Sequence, residues 1–201
     1  GPGQSSPQAM SFALDPAVVY LNHGSYGATP VEVLQAQRAI QDRLEAQPMA
    51  FFEGLGAELR GVMVRVAATL GAPVDDLVFV DNASTGTTAV LRSLELGPED
   101  VILCTSHGYA AVDKALAVIA ARTGCSVVQA QVPWPFDDAA QVIAAVQAAW
   151  TPSVTVAVLD HITSASAIRF PLETLVPWLR TRGTRVLVDG AHVPGQHPVQ
   201  L

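Results

Sequence analysis

The feature that most constrains the fold is an alternation of short apolar runs with longer segments of helical periodicity. The apolar runs cover residues 77–80, 101–104, 126–132, 154–159 and 185–188. Between them, residues 85–94, 110–122, 139–150 and 172–182 have the pattern of helices. Strands that alternate with helices build a parallel sheet covered on both faces. The sequence therefore predicts an α/β fold with a mainly parallel sheet flanked by helices.

The first third of the chain has a different pattern. A short apolar run over residues 18–21 ends in a glycine-punctuated turn, and a long helical pattern opens near Pro30. Apolar side chains recur at helical spacing over residues 56–70, and Gly71 marks the predicted end of this helix. The opening Gly-Pro-Gly resembles a protease-cleavage scar. We assign residues 1–13 to a tag remnant and N-terminal arm, and residues 14–201 to one domain.

Charge and hydropathy exclude several partners. The net charge is −7, and the eleven Lys and Arg residues are scattered, which argues against nucleic acid. No apolar run approaches the roughly 20 residues of a membrane span, and no secretory signal pattern opens the chain. We expect a cytoplasmic protein. Cys104 and Cys125 follow or end apolar runs and are predicted to be buried thiols, not metal ligands.

Polar segments follow directly after four of the predicted strands, over residues 81–88, 105–109, 160–164 and 189–192. In open parallel sheets, ligands bind at the carboxyl ends of the strands. These four segments together hold most of the side chains that could converge on one site. The sequence therefore predicts a ligand site at this edge of the sheet.

Residues 82–88 lead from a predicted strand into a helix whose first turn is rich in Ser, Thr and Gly. Small residues leave the first-turn amides open, and the helix dipole favours an anion there, which predicts a phosphate site. Ordinary N-capping by Asn82 or Ser84 explains the same residues equally well. The segment is neither a Walker A loop nor a dinucleotide-binding glycine motif, so a nucleotide-binding domain is the weaker alternative.

Asp189 follows a strand expected to be buried on both faces, so its carboxylate needs a donor, a cation or a protonated ligand nitrogen. Capping of the next turn is the alternative. Tyr109 could cover a flat heterocycle or pack at the edge of the core. Histidines 23, 107, 161 and 192 all lie in predicted loops, where a single histidine is more often a solvated or capping side chain than a ligand. Metal binding by the set is an alternative, but their spacing matches no recognisable metal site.

These motifs in this order resemble the class V aminotransferase family of pyridoxal-phosphate (PLP) enzymes, and most closely its isopenicillin N epimerase-like branch. The resemblance runs from about Leu14 to the end of the chain. It rests on the following segments: YLNHGSYG (20–27), QPMAFF (47–52), NASTG (82–86), SHGY (106–109), DHITS (160–164) and VDGAHVPG (188–195).

The resemblance implies a role for each segment. Ala83, Ser84 and Thr85 would hold the PLP phosphate, and Tyr109 would stack on the ring. Asp189 would pair with the protonated ring nitrogen, which lets the ring withdraw electrons from the substrate. Two further positions, Ser164 and His192, would neighbour the phenolic oxygen, while Asn22 and His23 would line the substrate pocket. Family members are usually homodimers, so we expect self-association.

The family's Schiff-base lysine is expected beyond Leu201, so no catalytic residue is assigned within the chain. The single lysine, Lys114, falls in a predicted helix and is expected to be solvated. Two interpretations follow. The chain is either part of a longer enzyme, which we favour, or a short relative that serves as a non-catalytic scaffold or binding module. The resemblance implies a PLP-dependent enzyme acting at the α-carbon of an amino acid, as an epimerase, C–S lyase or aminotransferase.

Overall fold

The computed structural model describes residues 11–135 and 138–199. The chain divides into two compact units, one ending at Leu77 and the other running from Val78 to Val199. Of the predicted tag remnant and N-terminal arm, the structure describes residues 11–13, and the rest lies outside the described residues. The assignment of residues 14–201 to one domain stays a prediction.

The first unit contains the helices α1 (Val31–Ala46) and α2 (Pro48–Leu70), followed by a 3-10 turn (Val74–Asp76). Helix α2 begins with a proline, whose fixed φ suits the first helical position and whose missing N–H is not needed there. It ends at Gly71, which adopts a φ of 67° that a side chain would disfavour. The helix predicted over residues 56–70 is therefore present, but it begins earlier than predicted, at Pro48.

The second unit alternates helices and strands. Its elements in chain order are α3 (Ala83–Ser93), β1 (Val101–Thr105), α4 (Ala110–Thr123), β2 (Ser126–Ala130), α5 (Ala139–Ala149), β3 (Val154–Asp160), α6 (Leu172–Arg180) and β4 (Arg185–Asp189). The four strands form one sheet in the order β2-β1-β3-β4, and each neighbouring pair is parallel. The predicted α/β fold with a parallel sheet flanked by helices is confirmed.

The two central strands, β1 and β3, are buried on both faces, which explains why they read as continuous apolar runs. The expectation that the strand before Asp189 is buried on both faces is wrong, because β4 lies at the edge of the sheet and residues 185–188 are partly or fully exposed. Successive side chains of a strand point to opposite faces. Ile102 therefore joins a cluster with residues of α3 and α4, such as Leu91 and Leu116. Leu103 joins a second cluster with residues of α5 and α6, such as Val146 and Leu175. We call these the α3/α4 cluster and the α5/α6 cluster.

The strand predicted over residues 77–80 is wrong. These residues form no strand, and the side chain of Val78 is 80% exposed. A strand needs a hydrogen-bonded neighbour, and among residues 11–135 and 138–199 none pairs with this segment. The apolar pattern was that of a strand, but pairing depends on tertiary structure. None of the helices described has the length and apolar character needed to cross a membrane.

Candidate functional site

The carboxyl ends of β1, β3 and β4 meet at one edge of the sheet because the strands are parallel. Hydrogen bonds join the loops that leave this edge. The amide of His161, after β3, donates to the carbonyl of Asp189 at 2.8 Å. After β1, the amide of Ser106 donates to the carbonyl of Ala130 at 2.9 Å. Three of the four predicted ligand-binding segments, residues 105–109, 160–164 and 189–192, therefore leave the sheet at the same edge.

Helix α3 presents its N-terminus with two open amides. The side chain of Asn82 accepts from the amide of Thr85 at 2.9 Å, and its carbonyl accepts from Gly86 at 3.1 Å. Capping by Asn82 is thus present. In the described part of the chain, no acceptor faces the amides of Ala83 and Ser84. A free pair of amides at a helix N-terminus attracts an anion, so capping and phosphate binding are compatible here.

Close packing places this helix. Helix α3 lies against β4, the strand that ends at Asp189. A Cβ added at Gly86 would come within 3.3 Å of a methyl group of Val80. The first turn therefore lies close to the segment before it, and a Cβ at position 86 would require the Val80 methyl group to shift by a few tenths of an ångström.

Asp189 is buried at the end of β4, with 9% of its surface exposed. One carboxylate oxygen accepts from the amide of Ala191 at 3.0 Å. Asp189 therefore also caps the following turn, as the alternative predicted, but this contact uses one of its two carboxylate oxygens. Carboxylates offer about four acceptor positions, so this one retains capacity for a further donor.

Tyr109, Ser164 and His192 all lie in loops that leave the same edge. Tyr109 directly precedes α4 and is 44% exposed, and its carbonyl accepts from the amides of Val112 and Asp113. Ser164 is exposed in the loop between β3 and α6. His192 is half-buried in the turn after β4. These positions are near strand ends as predicted, and their contacts with a ligand stay predictions.

Asn22 and His23 belong to the first unit, in an exposed turn before α1. The carbonyl of Asn22 accepts from the amide of Tyr26 at 3.0 Å, and a ring nitrogen of His23 accepts from Ala28 at 3.3 Å. The His23 ring also packs edge-on against Tyr20, with centroids 4.9 Å apart. The local turn is well defined, and its substrate-binding role stays a prediction.

A chain of side-chain hydrogen bonds links two of the loops, and no local sequence pattern predicts it. One nitrogen of His107 lies 3.2 Å from the carbonyl of Val132, so this nitrogen must donate. The other lies 2.7 Å from the hydroxyl of Ser166, which in turn lies 2.8 Å from that of Thr163. The bonds hold the β1–α4 loop to the β3–α6 loop. Residues 107 and 166 are too far apart in sequence for any local pattern to pair them.

The sequence analysis included Asp160 in the polar segment 160–164 but gave its carboxylate no role of its own; in the fold it lies beside Asp189 at the same edge. Burial, and then the charge of Asp189, raise the pKa of Asp160 to about 7. Burial and the charges of Asp113 and Asp160 raise the pKa of the Cys104 thiol to about 11, so this cysteine is a poor nucleophile at neutral pH. The signal that could have identified Asp160 is an Asp directly after an apolar strand, as at Asp189.

Lys114 lies exposed on α4, in a surface groove that Arg92 and Arg122 also line. The prediction of a solvated lysine therefore agrees with its position. Both cysteines are buried, as predicted. Within residues 11–135 and 138–199, no three His, Cys, Asp or Glu side chains group closely enough to hold a metal ion.

Comparison with known proteins identifies relatives over nearly the whole chain. The family model described as Aminotransferase class-V matches residues 19–201. A "Putative L-cysteine desulfhydrase 1" from Oryza sativa subsp. japonica is 34% identical over 92% of this chain and 42% of the relative. An "Isopenicillin N epimerase" from Streptomyces clavuligerus is 30% identical over 91% of this chain and 47% of the relative.

Solved structures give the same result. A C-DES mutant with glycine covalently linked to its PLP cofactor superimposes with a TM-score of 0.81 at 25% identity, covering 90% of this chain and 49% of that chain. A complex of the same protein is described as the cystine C–S lyase C-DES with its reaction product cysteine persulfide. The chain spans less than half the length of the curated relatives it matches.

Proposed function

The chain belongs to the aminotransferase class-V family, and from that premise we propose that it is the cofactor-binding part of a PLP-dependent enzyme that acts at the α-carbon of an amino acid. The proposal rests on one observation: a buried carboxylate, Asp189, ends β4, and the helix that packs against β4, α3, has an open N-terminus. PLP carries a protonated ring nitrogen at one end and a phosphate at the other.

The residues present fit that cofactor by the chemistry of their donors and acceptors. Asp189 is buried, receives one amide and keeps acceptor capacity for a protonated nitrogen. The amides of Ala83 and Ser84 are open toward an anion, and the small residues of this turn let a phosphate approach the backbone. A partly exposed tyrosine, Tyr109, offers a ring face. Each of these groups offers an acceptor, a donor or a ring face that bound PLP would use.

Each side chain has a stated task in this proposal. Asp189 holds the proton on the ring nitrogen, and the first turn of α3, including Thr85, binds and orients the phosphate. Tyr109 covers the ring and excludes water from one face. Ser164 and His192 hold hydrogen bonds at the phenolic oxygen, and Asn22 and His23 contact the substrate. Bound PLP supplies the electron sink for negative charge that develops at the substrate α-carbon.

Among the reactions open to such an enzyme, we favour C–S bond cleavage in a cysteine-like amino acid. The relatives named L-cysteine desulfhydrase and the cystine C–S lyase support this choice. Epimerisation is the second candidate because two of the relatives are named isopenicillin N epimerase. A homodimeric state and a cytoplasmic location are further parts of the proposal.

The test is PLP binding by the full-length protein, followed through the absorbance and circular dichroism of the bound cofactor. Asp189→Asn should weaken PLP binding by at least about tenfold, since hydrogen bonds to charged groups contribute about 1.5–3 kcal/mol. Asp138→Asn is the matched control because Asp138 caps α5 with its side chain, and Asn caps equally well. Wild-type protein that binds no PLP, or an Asp189→Asn variant that binds like wild type, would overturn the proposal.

Incubation of the PLP-loaded protein with cysteine then distinguishes the reactions. Release of sulfide supports C–S cleavage, and exchange of the α-proton with deuterated solvent without sulfide release supports epimerisation. A protein that binds PLP and does neither with any amino acid corresponds to the scaffold alternative.

A further inference from the structure

Asp160 and Asp189 are neighbours across two parallel strands. They are register partners at the last position of β3 and β4. Two residues before them, Val158 and Leu187 both pack in the α3/α4 cluster. Since side chains alternate along a strand, both carboxylates point to the α3/α4 face of the sheet. The strand pairing itself therefore brings two acidic groups side by side.

Both groups are removed from solvent, with 7% of Asp160 and 9% of Asp189 exposed. Among the described residues, no Lys, Arg or His forms an ion pair with either carboxylate. If both carboxylates of these register partners were ionised, they would repel each other strongly, because no cation among the described residues compensates either charge. The expected result is that one of them takes up a proton.

The surroundings decide which carboxylate keeps the charge. Asp189 accepts a hydrogen bond from the amide of Ala191 at 3.0 Å. In the described part of the chain, no other residue donates a hydrogen bond to the Asp160 carboxylate, and its own backbone amide does not offset the effects of burial and of Asp189 on its pKa. We propose that Asp160 is a positioning residue that holds the single proton of this buried pair and so leaves the negative charge on Asp189.

The other groups that face Asp160 agree with this assignment. From α4, the carboxylate of Asp113 adds a further negative charge, and from β1 the Cys104 thiol is itself kept protonated by burial. The buried residues of α3, Thr87 and Leu91, carry no charge. Burial, and then Asp189, raise the pKa of Asp160 to about 7. No cation among the described residues opposes this effect.

The consequence for the site rests on the proposed function. With Asp160 neutral, one negative charge faces the protonated nitrogen of the cofactor. When Asp160 ionises above neutral pH, a second negative charge stabilises that protonated nitrogen further. Asp160 thereby makes the strength of the Asp189 interaction depend on pH near neutrality, without touching the cofactor.

The first experiment needs no cofactor. Full-length protein labelled with ¹³C at the side-chain carboxyl carbon of aspartate is titrated by NMR, and the Asp160 signal is assigned as the one missing in Asp160→Asn. We expect its midpoint near pH 7 and a marked downward move in Asp189→Asn. Asp113→Asn, which removes the more weakly interacting carboxylate, should move it less. A midpoint in the ordinary aspartate range, or one that Asp189→Asn leaves unchanged, would overturn the inference.

If Asp160→Asn does not fold, the wild-type and Asp189→Asn titrations still decide, since a signal with a midpoint near pH 7 in wild type that moves downward in Asp189→Asn is the one expected for Asp160. The second experiment measures PLP affinity from pH 6 to pH 8.5 in wild type and Asp160→Asn. Wild type should bind more tightly with rising pH than the variant does, with equal affinities near pH 6. Parallel profiles would overturn the role toward the cofactor. Absent PLP binding would instead contradict the proposed function, while the NMR titration would still test the carboxylate pair.

Discussion

The two units of this chain use apolar residues in opposite ways. In the sheet unit, large apolar side chains such as Phe170, Leu159 and Ile102 are fully buried. In the described part of the helical unit, Ala67 is the one buried apolar residue, while Phe52 and Met49 of α2 are largely exposed. The sheet unit thus supplies its own core. The apolar surface of α2 has no comparable cover among residues 11–77, although its sequence is as apolar as that of a core helix.

The largest effect is expected from a matched pair of substitutions, one in each unit. Phe170→Ala should lower the free energy of unfolding by about 3–5 kcal/mol, because it leaves a cavity in a fully packed cluster. Phe52→Ala, at a residue 62% exposed, should cost less than about 1 kcal/mol. Urea denaturation followed by circular dichroism measures both. An equal cost at the two sites would show that the α2 surface is covered, and the contrast between the units would fail.

The second prediction concerns pH and sharpens the picture of the sheet unit. The pKa of Asp160 is about 7 in the fold against an ordinary value of 3.8. Between these values the folded chain holds a proton that the unfolded chain has lost, so stability falls as pH rises from about 4 through 7. Asp160→Asn removes that fall and should raise the stability at pH 8 by on the order of 4 kcal/mol. Thermal unfolding at pH 5 and pH 8 tests this; a variant with the wild-type pH dependence would contradict it.

The third prediction concerns the entry to α3. Asn82→Ala removes the side chain that caps the amide of Thr85 and should destabilise the chain by about 1 kcal/mol. Asn82→Ser, which keeps a capping oxygen, should recover most of the loss. The midpoint of urea denaturation provides the comparison, and equal midpoints for the two variants would show that the cap contributes nothing.

The smallest effect is expected in the helical unit. Arg43 forms a bidentate contact with Glu58 that joins α1 to α2, with distances of 3.0 and 2.8 Å. Both side chains are half exposed, and solvent and salt screen such pairs. Arg43→Gln should therefore leave the unfolding midpoint of the chain almost unchanged at 0.5 M salt. A clear loss of stability at high salt would show that this hairpin depends on the contact more than its exposure suggests.

Much of the fold was predictable because its signals are local. The strands β1 to β4 and the helices between them follow from apolar periodicity, and Gly71 and Pro48 punctuate α2 as their backbone preferences require. Residues 77–80 show where this reasoning fails, since an apolar run forms a strand only if another strand is available to pair with it.

The candidate site divides in the same way. Asp189 and the small residues near Ser84 could be chosen from the sequence, because a carboxylate after an apolar strand and an open helix N-terminus are recognisable locally. The coupling of Asp160 to Asp189 could not, because it depends on which strands are neighbours and in what register. The link between His107 and Ser166 depends on two loops meeting at the sheet edge.

By itself, the sequence determined the fold class, the approximate positions of the four paired strands and of the helices in the sheet unit, and the polar residue types that follow those strands. Periodicity and residue type act over a few neighbouring residues, so they can be read without coordinates. Tertiary structure alone decided which acidic groups share a face, which of them keeps its charge and which apolar run stays unpaired. Electrostatic coupling and strand pairing depend on distances between residues remote in the chain, and only the folded arrangement fixes those distances.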